Sequence, residues 1–131
     1  MADIQPIDEK QQEALSRINR DLEEKSAAER AKDLNLPYIN VGGFPVNPDI
    51  LHILSPEDAK AGMLMPFYKT GKKLRVAVFD PADLKTAAAL KKLEEAGFSI
   101  QLNLASKAGV EDSFRHYLSD QYRMKEETKN V

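Results

Sequence analysis

Two aspartates, Asp80 and Asp83, stand where an apolar stretch ends. "LRVAVFDPADL", residues 74–84, reads as a buried strand that leaves its sheet through an acidic turn and enters a helix. In open α/β sheets, ligands gather at the carboxyl ends of strands, and paired carboxylates can hold a cation or exchange protons. That use needs further ligands converging from elsewhere, and the sequence nominates none. The same residues have a local use. Asp80 can cap the helix with Pro81 as its first residue and Asp83 near the positive helix end; alternatively, Asp80–Pro81–Ala82 forms a turn and Asp83 caps the helix. In both arrangements the acids shape the backbone rather than a reaction site.

Other reactive residues are sparse. The chain has no cysteine, which removes disulfides, thiolate zinc sites and cysteine nucleophiles. His52 and His116 are far apart and carry no metal-type spacing around them. The stretch closest to a phosphate-binding loop, "KTGKKL", lacks the first glycine and the final hydroxyl that such a loop uses. No G-x-G-x-x-G follows a strand, so the chain shows no nucleotide-hydrolysing machinery, and neither a cofactor nor a metal is expected. Lys69, Lys72, Lys73 and Arg75 form a basic hairpin tip. Contact with phosphate or an acidic partner is one use of it, but the favoured reading is a solvated turn that also protects an edge strand.

Composition narrows the class further. With 131 residues, the chain is most simply one domain, able to bury roughly two-thirds of its unfolded surface. Nineteen basic and 21 acidic residues leave a net charge of −2, which argues against a dedicated nucleic-acid or acidic-membrane binder. No apolar run approaches the roughly 18 residues of a membrane span, and "MADIQPIDEKQQ" is too polar and acidic for a signal peptide. A soluble, intracellular protein is expected.

The elements follow from periodicity and punctuation. Residues 8–35 lack glycine and proline and read as helix, opened by an Asp8/Gln11 capping box. Ala14, Leu15, Ile18 and Leu22 share one face, whereas Ala27, Ala31 and Leu34 share another. At about 100° per residue, the stripe rotates by roughly half a turn between them. Ser26 and Glu29 form a second box at that change, so either one helix serves two surfaces or two helices meet near Ser26. "LPYINV", 36–41, reads as a strand. "NPDI" and "SPED" each set a capping residue before a proline and open short helices at about 48–53 and 56–61, the second ended by Gly62.

A hairpin follows, with strands at 64–69 and 74–79 around "TGKK"; Pro66 places the first strand at a sheet edge or bulge. Ala89, Leu90, Leu93, Ala96 and Gly97 line the inner face of a helix over 84–97. Phe98, Ile100, Leu102 and Leu104 alternate along a final strand. A last helix, 107–122, turns Val110, Phe114, Tyr117, Leu118 and Gln121 inward, and the tail after Met124 frays. The expected fold is α/β: a small mixed β-sheet of about four strands packed with helices in a sandwich, preceded by an N-terminal helical segment.

Three stretches together carry a resemblance: "AKDLNLPYINV", "FPVNPDILHILSPEDAKAGMLMPFYKTGKKLRVAVFDPADLKTAAALKKL" and "AGFSIQLNLASKAGVEDSFRHY". In order and spacing they resemble the N-terminal domain of the assembly ATPases of type II secretion and type IV pilus systems. The matching positions are Leu36–Pro37–Tyr38, Pro45, Pro56–Glu57–Asp58–Ala59, Lys69 to Lys73, Leu74–Val76–Ala77 and Asp80–Pro81. The helix opening at Pro56 is slightly shorter than usual for that family. The resemblance covers about residues 26–122. It implies a division into an N-terminal helical docking segment (1–25), the α/β domain (26–122) and a flexible tail or linker (123–131).

It also implies a function. The family powers pilus or pseudopilus assembly, with catalytic domains that lie C-terminal to this module and are absent from this chain. The expectation is a non-catalytic interaction or regulatory module. It would dock a cytoplasmic motor on the cytoplasmic part of an inner-membrane platform protein, or serve the ATPase domains of a longer chain, with no nucleic acid and no membrane insertion of its own. The expected place is the cytoplasm, at the inner-membrane face, reached through partners. Leu15, Ile18 and Leu22, flanked by Arg17 and Arg20, are the expected docking residues, because one core cannot easily bury two opposed stripes. The alternative is a sensor of the second messenger cyclic di-GMP. Relatives that bind it carry a repeated arginine-leucine-glycine motif, and residues 8–35 contain no glycine to match it.

Overall fold

The computed structural model describes residues 9–45, 49–50 and 53–115. The expectations for Asp8, for the side chains of Gln11 and Ala14, for both histidines, for most of the 48–53 helix, and for everything after residue 115 lie outside the described residues.

Helix α1, Glu9–Asp33, is continuous through Lys25 and Ser26, so one helix serves both stripes. Its buried contacts are small: Ala27 and Ala31 are almost wholly enclosed, and their short side chains let the helix axis come close to the layer beneath. Leu34 departs from expectation and stays exposed. The helix ends one residue earlier in the pattern, with Asn35 in the left-handed region at φ 56°. Its amide donates to Lys32 O, and the Leu36 amide donates back to Ala31 O. This is a Schellman closure, which turns Leu36, not Leu34, toward the core.

The sheet has three strands, β1 (Leu64–Thr70), β2 (Lys73–Val78) and β3 (Ser99–Leu104), in that order. β1 and β2 pair antiparallel around Gly71 and Lys72, with glycine at φ 61° in the first loop position, as a type II′ turn requires. β2 and β3 pair parallel, joined across the sheet by helix α3 (Leu84–Glu95). β1 is an outer strand, and its register shifts between Pro66 and Tyr68, so the missing proline donor falls at an edge and at a bulge together.

The expected fourth strand at 36–41 shrinks to one parallel bridge between Tyr38 and Leu104. Ile39 N donates to Leu104 O and Leu104 N to Pro37 O. Pro37 can donate nothing to extend the ladder, and the chain closes into a 3-10 turn at Val41–Gly43.

Helix α2 (Pro56–Gly62) is capped by Ser55, whose side chain accepts from Asp58 N. Gly62 does not terminate it by conformational freedom; Met63 takes the left-handed position at φ 46°. Gly62 is instead a contact point, because a Cβ there would lie 3.2 Å from Ala89 Cβ and 3.2 Å from Lys85 O. Thr86 Oγ1 donates to Gly62 O at 2.6 Å, locking α2 to α3. In α3 the inner residues are Thr86, Ala89 and Leu93; Ala96 and Gly97 are exposed beyond its end. The last helix, α4, runs over 107–115 within the described residues, with Val110 and Phe114 buried as expected. The core gathers on β1, β2 and the end of β3, where Leu64, Leu74, Val76, Val78 and Leu104 are sealed from solvent.

Candidate docking site on the N-terminal helix

A polar clasp holds α1 to the rest of the domain. Ser106 begins α4: its hydroxyl accepts from Gly109 N at 2.9 Å, and it donates to Glu24 Oε2. Glu23 Oε1 accepts from Ala108 N at 3.0 Å. Free amides at a helix start carry partial positive charge, so two adjacent carboxylates of α1 complete the start of α4. Glu24 Oε1 also accepts from the Tyr38 hydroxyl. Arg20 spans the cluster, with Nε donating to Glu24 Oε2 at 3.0 Å and Nη1 to Asp112 Oδ2 at 2.6 Å.

Small residues make room for this clasp. A Cβ on Gly42 would stand 2.8 Å from Arg20 Nη2, 3.3 Å from Asp112 Cβ and 3.4 Å from Gly109 Cα. The environment moves two titrations. Burial, reinforced by the hydrogen bond to Glu24 and its charge, pushes the Tyr38 phenol above its usual range. Burial works against the Arg20 charge, yet Asp112 and Glu24 outweigh it and raise the guanidinium further.

The clasp fixes which way α1 faces. Arg20, Glu24, Ala27 and Ala31 occupy the inward side. Roughly half a turn away, Leu15, Ile18 and Leu22 point outward with 47%, 55% and 60% of their surface accessible. These three fall together on one helix face, as the sequence suggests. Arg17 is exposed beside them in the chain. Arg20 behaves differently from the other four: its guanidinium is committed to ion pairs within the domain.

Elsewhere the acidic turn is structural. Asp80 Oδ1 accepts from Ala82 N at 3.0 Å, and Asp83 Oδ1 accepts from Lys85 N at 2.8 Å as the cap of α3. That selects the second of the two arrangements, a turn followed by a cap. Arg30 joins α1 to the same end of the sheet, donating to Phe79 O at 2.5 Å with its guanidinium 4.7 Å from the Phe79 ring centre. Beside it lies a shallow cavity of about 270 Å³ lined by Arg30, Leu34, Phe79, Asp80 and Pro81. Among the described residues, no group of three or more His, Asp or Glu side chains is arranged to hold a metal ion. No described helix is long and apolar enough to cross a membrane.

The clasp is what sequence reasoning missed. Its contacts between α1 and α4 join residues 82 to 92 positions apart along the chain. The local signals were the i,i+4 pair Arg20 and Glu24 and the serine of "SKAG", a helix-capping type, just before α4.

The MshEN domain family matches residues 34–124. The type IV pilus assembly ATPase PilB of Myxococcus xanthus (strain DK1622) is 27% identical in an alignment of 124 residues that covers 89% of this chain. The chain spans only 22% of that relative's length. Among solved structures, MshE with cdg superposes with a TM-score of 0.62 at 27% identity, covering 70% of this chain and 65% of that one. The N-terminal domain of XpsE, at 22% identity and a TM-score of 0.56, shares the fold over 70% of this chain and 64% of its own. Matched over residues 34–124, the chain belongs to the MshEN domain family, and it is similar to part of a type IV pilus assembly ATPase.

Proposed function

We propose that this chain is a non-catalytic recruitment module, which attaches an assembly ATPase to the cytoplasmic part of an inner-membrane platform protein through the outward face of α1. The observation that carries this reading is the exposure of Leu15, Ile18 and Leu22 on a helix whose opposite face is locked down by the clasp. An apolar stripe held rigidly in water loses little conformational entropy when a partner covers it, and its burial is worth about 25 cal/mol per Å². Residues 1–25 then act as the docking segment and 26–122 as its scaffold. The protein works at the cytoplasmic membrane face through its partner. The test replaces Ile18 and Leu22 by Asp. Both side chains are exposed, so the helical circular dichroism should persist while capture of the platform's cytoplasmic part is lost. Retained capture by a folded double variant rejects α1 as the docking element.

A second reading has one observation in its favour, the likeness to the structure of MshE with cdg. On it, this chain senses cyclic di-GMP. Against it, residues 8–35 offer no glycine for the motif through which such relatives bind. Calorimetric titration with cyclic di-GMP separates the two: a flat titration is expected, and a saturable one favours the sensor.

A further inference from the structure

The hairpin tip lies at the end of the sheet remote from the clasp. Phe79 and Ser106, where α1 is fastened, follow the carboxyl ends of β2 and β3, whereas Gly71 and Lys72 join β1 to the amino end of β2, beside the amino end of β3. With strands of six residues, the two ends are about 20 Å apart. Lys69, Lys72, Lys73 and Arg75 crowd this far end, all exposed, while residues 64–79 contain no acid and residues 98–106 no charge at all. Among the described residues, none of these four cations makes an ion pair. The next acids along the chain, Asp80 and Asp83, follow the other end of β2, while Glu94 and Glu95 lie at the end of α3 and are partly offset by Lys91. In a chain of net charge −2, this end is a segregated positive pole.

The directions of the side chains say what fits it. In the register, Lys69 stands opposite the fully buried Leu74 and so lies on the core-side face, where its ammonium is 5.7 Å from the Phe98 ring centre. Lys73 and Arg75 lie on the other face, opposite Thr70 and Tyr68, with Arg75 5.9 Å from the Tyr68 ring centre. Lys72 occupies the turn itself. A peptide or protein laid on one sheet face would meet only part of this set. A broad anionic plane approached end-on meets all of it, and the half-exposed Tyr68 is an aromatic residue suited to a headgroup layer.

We propose that the tip of the β1–β2 hairpin adsorbs end-on to anionic phospholipid, holding the domain against the membrane surface while α1, fastened at the other end of the sheet, engages its partner. No insertion is involved; the attraction is between headgroup phosphates and lysine or arginine, and each cation near such a surface multiplies affinity about fivefold.

The test is flotation of the full chain with phosphatidylglycerol-rich vesicles and with neutral phosphatidylcholine vesicles. Wild type should float only with the anionic vesicles. Binding should vanish as salt rises from about 0.1 M to about 1 M and the screening length falls from about 10 Å to about 3 Å. Lys69→Gln, Lys72→Gln and Lys73→Gln together should weaken flotation roughly a hundredfold. Lys25→Gln with Lys32→Gln, which removes two exposed cations from α1, should leave it nearly unchanged. Four results would overturn the proposal: no flotation of wild type, equal flotation with neutral vesicles, loss of flotation in the α1 variant equal to that in the hairpin variant, or preference for duplex DNA over vesicles in direct competition.

Discussion

Glu24 accepts hydrogen bonds from Arg20, Tyr38 and Ser106, which arrive from α1, from the bridging segment and from the start of α4. Removing such an acceptor strands three donors together. Glu24→Ala should therefore destabilise the domain by about 1–3 kcal/mol in urea unfolding, an amount tempered by the partial exposure of Arg20. The Tyr38 phenol adds a pH dependence with a definite sign. Its pKa is raised in the fold, so the folded state holds a proton that the unfolded chain releases above about pH 10. Its contribution is whole below that pH and is lost as pH climbs through the folded pKa. In an ultraviolet titration, one of the four tyrosines should ionise late, and Tyr38→Phe should abolish that late step. Gly62→Ala should cost about 1–2 kcal/mol despite better helix propensity, because Ala89 Cβ and Lys85 O already stand 3.2 Å from the new methyl.

At the scale of elements, α1 carries two surfaces on one rod. The half-turn between Leu15/Ile18/Leu22 and Ala27/Ala31 was legible in the sequence, because periodicity reports helix faces directly. Whether the helix broke at Ser26 was not legible, since an S-x-x-E box occurs inside helices as well as at their starts. Ala27→Leu should act on the inward surface alone: adding volume at a sealed contact should lift α1 and lower stability by about 1–3 kcal/mol in thermal or urea unfolding.

The hairpin, α2, α3 and β3 were readable for a local reason, because turn glycines, capping serine and aspartate, and alternating leucines act over a few residues. Strand 36–41 was over-read. Its β-type residues are genuine, but Pro37 and the turn at Val41–Gly43 leave space for one bridge. The contacts of the clasp with α4 were unreadable because charged residues on a polar helix look alike until the fold brings their partners across more than 80 residues.

For the whole molecule, these parts describe a small α/β domain of the MshEN family, with α1 bound at one end of a three-stranded sheet and a basic hairpin at the other. The acidic turn at Asp80–Asp83 that first suggested chemistry serves to launch α3. The central proposal is that the module recruits its motor through the outward face of α1. Methyl-resolved NMR of the full chain, titrated with the cytoplasmic part of its platform protein, tests it most directly. The account predicts that Leu15, Ile18 and Leu22 methyl signals shift or broaden saturably while Leu64, Leu74 and Leu104 in the core stay in place. Saturable binding that leaves those three α1 methyls unmoved would contradict it.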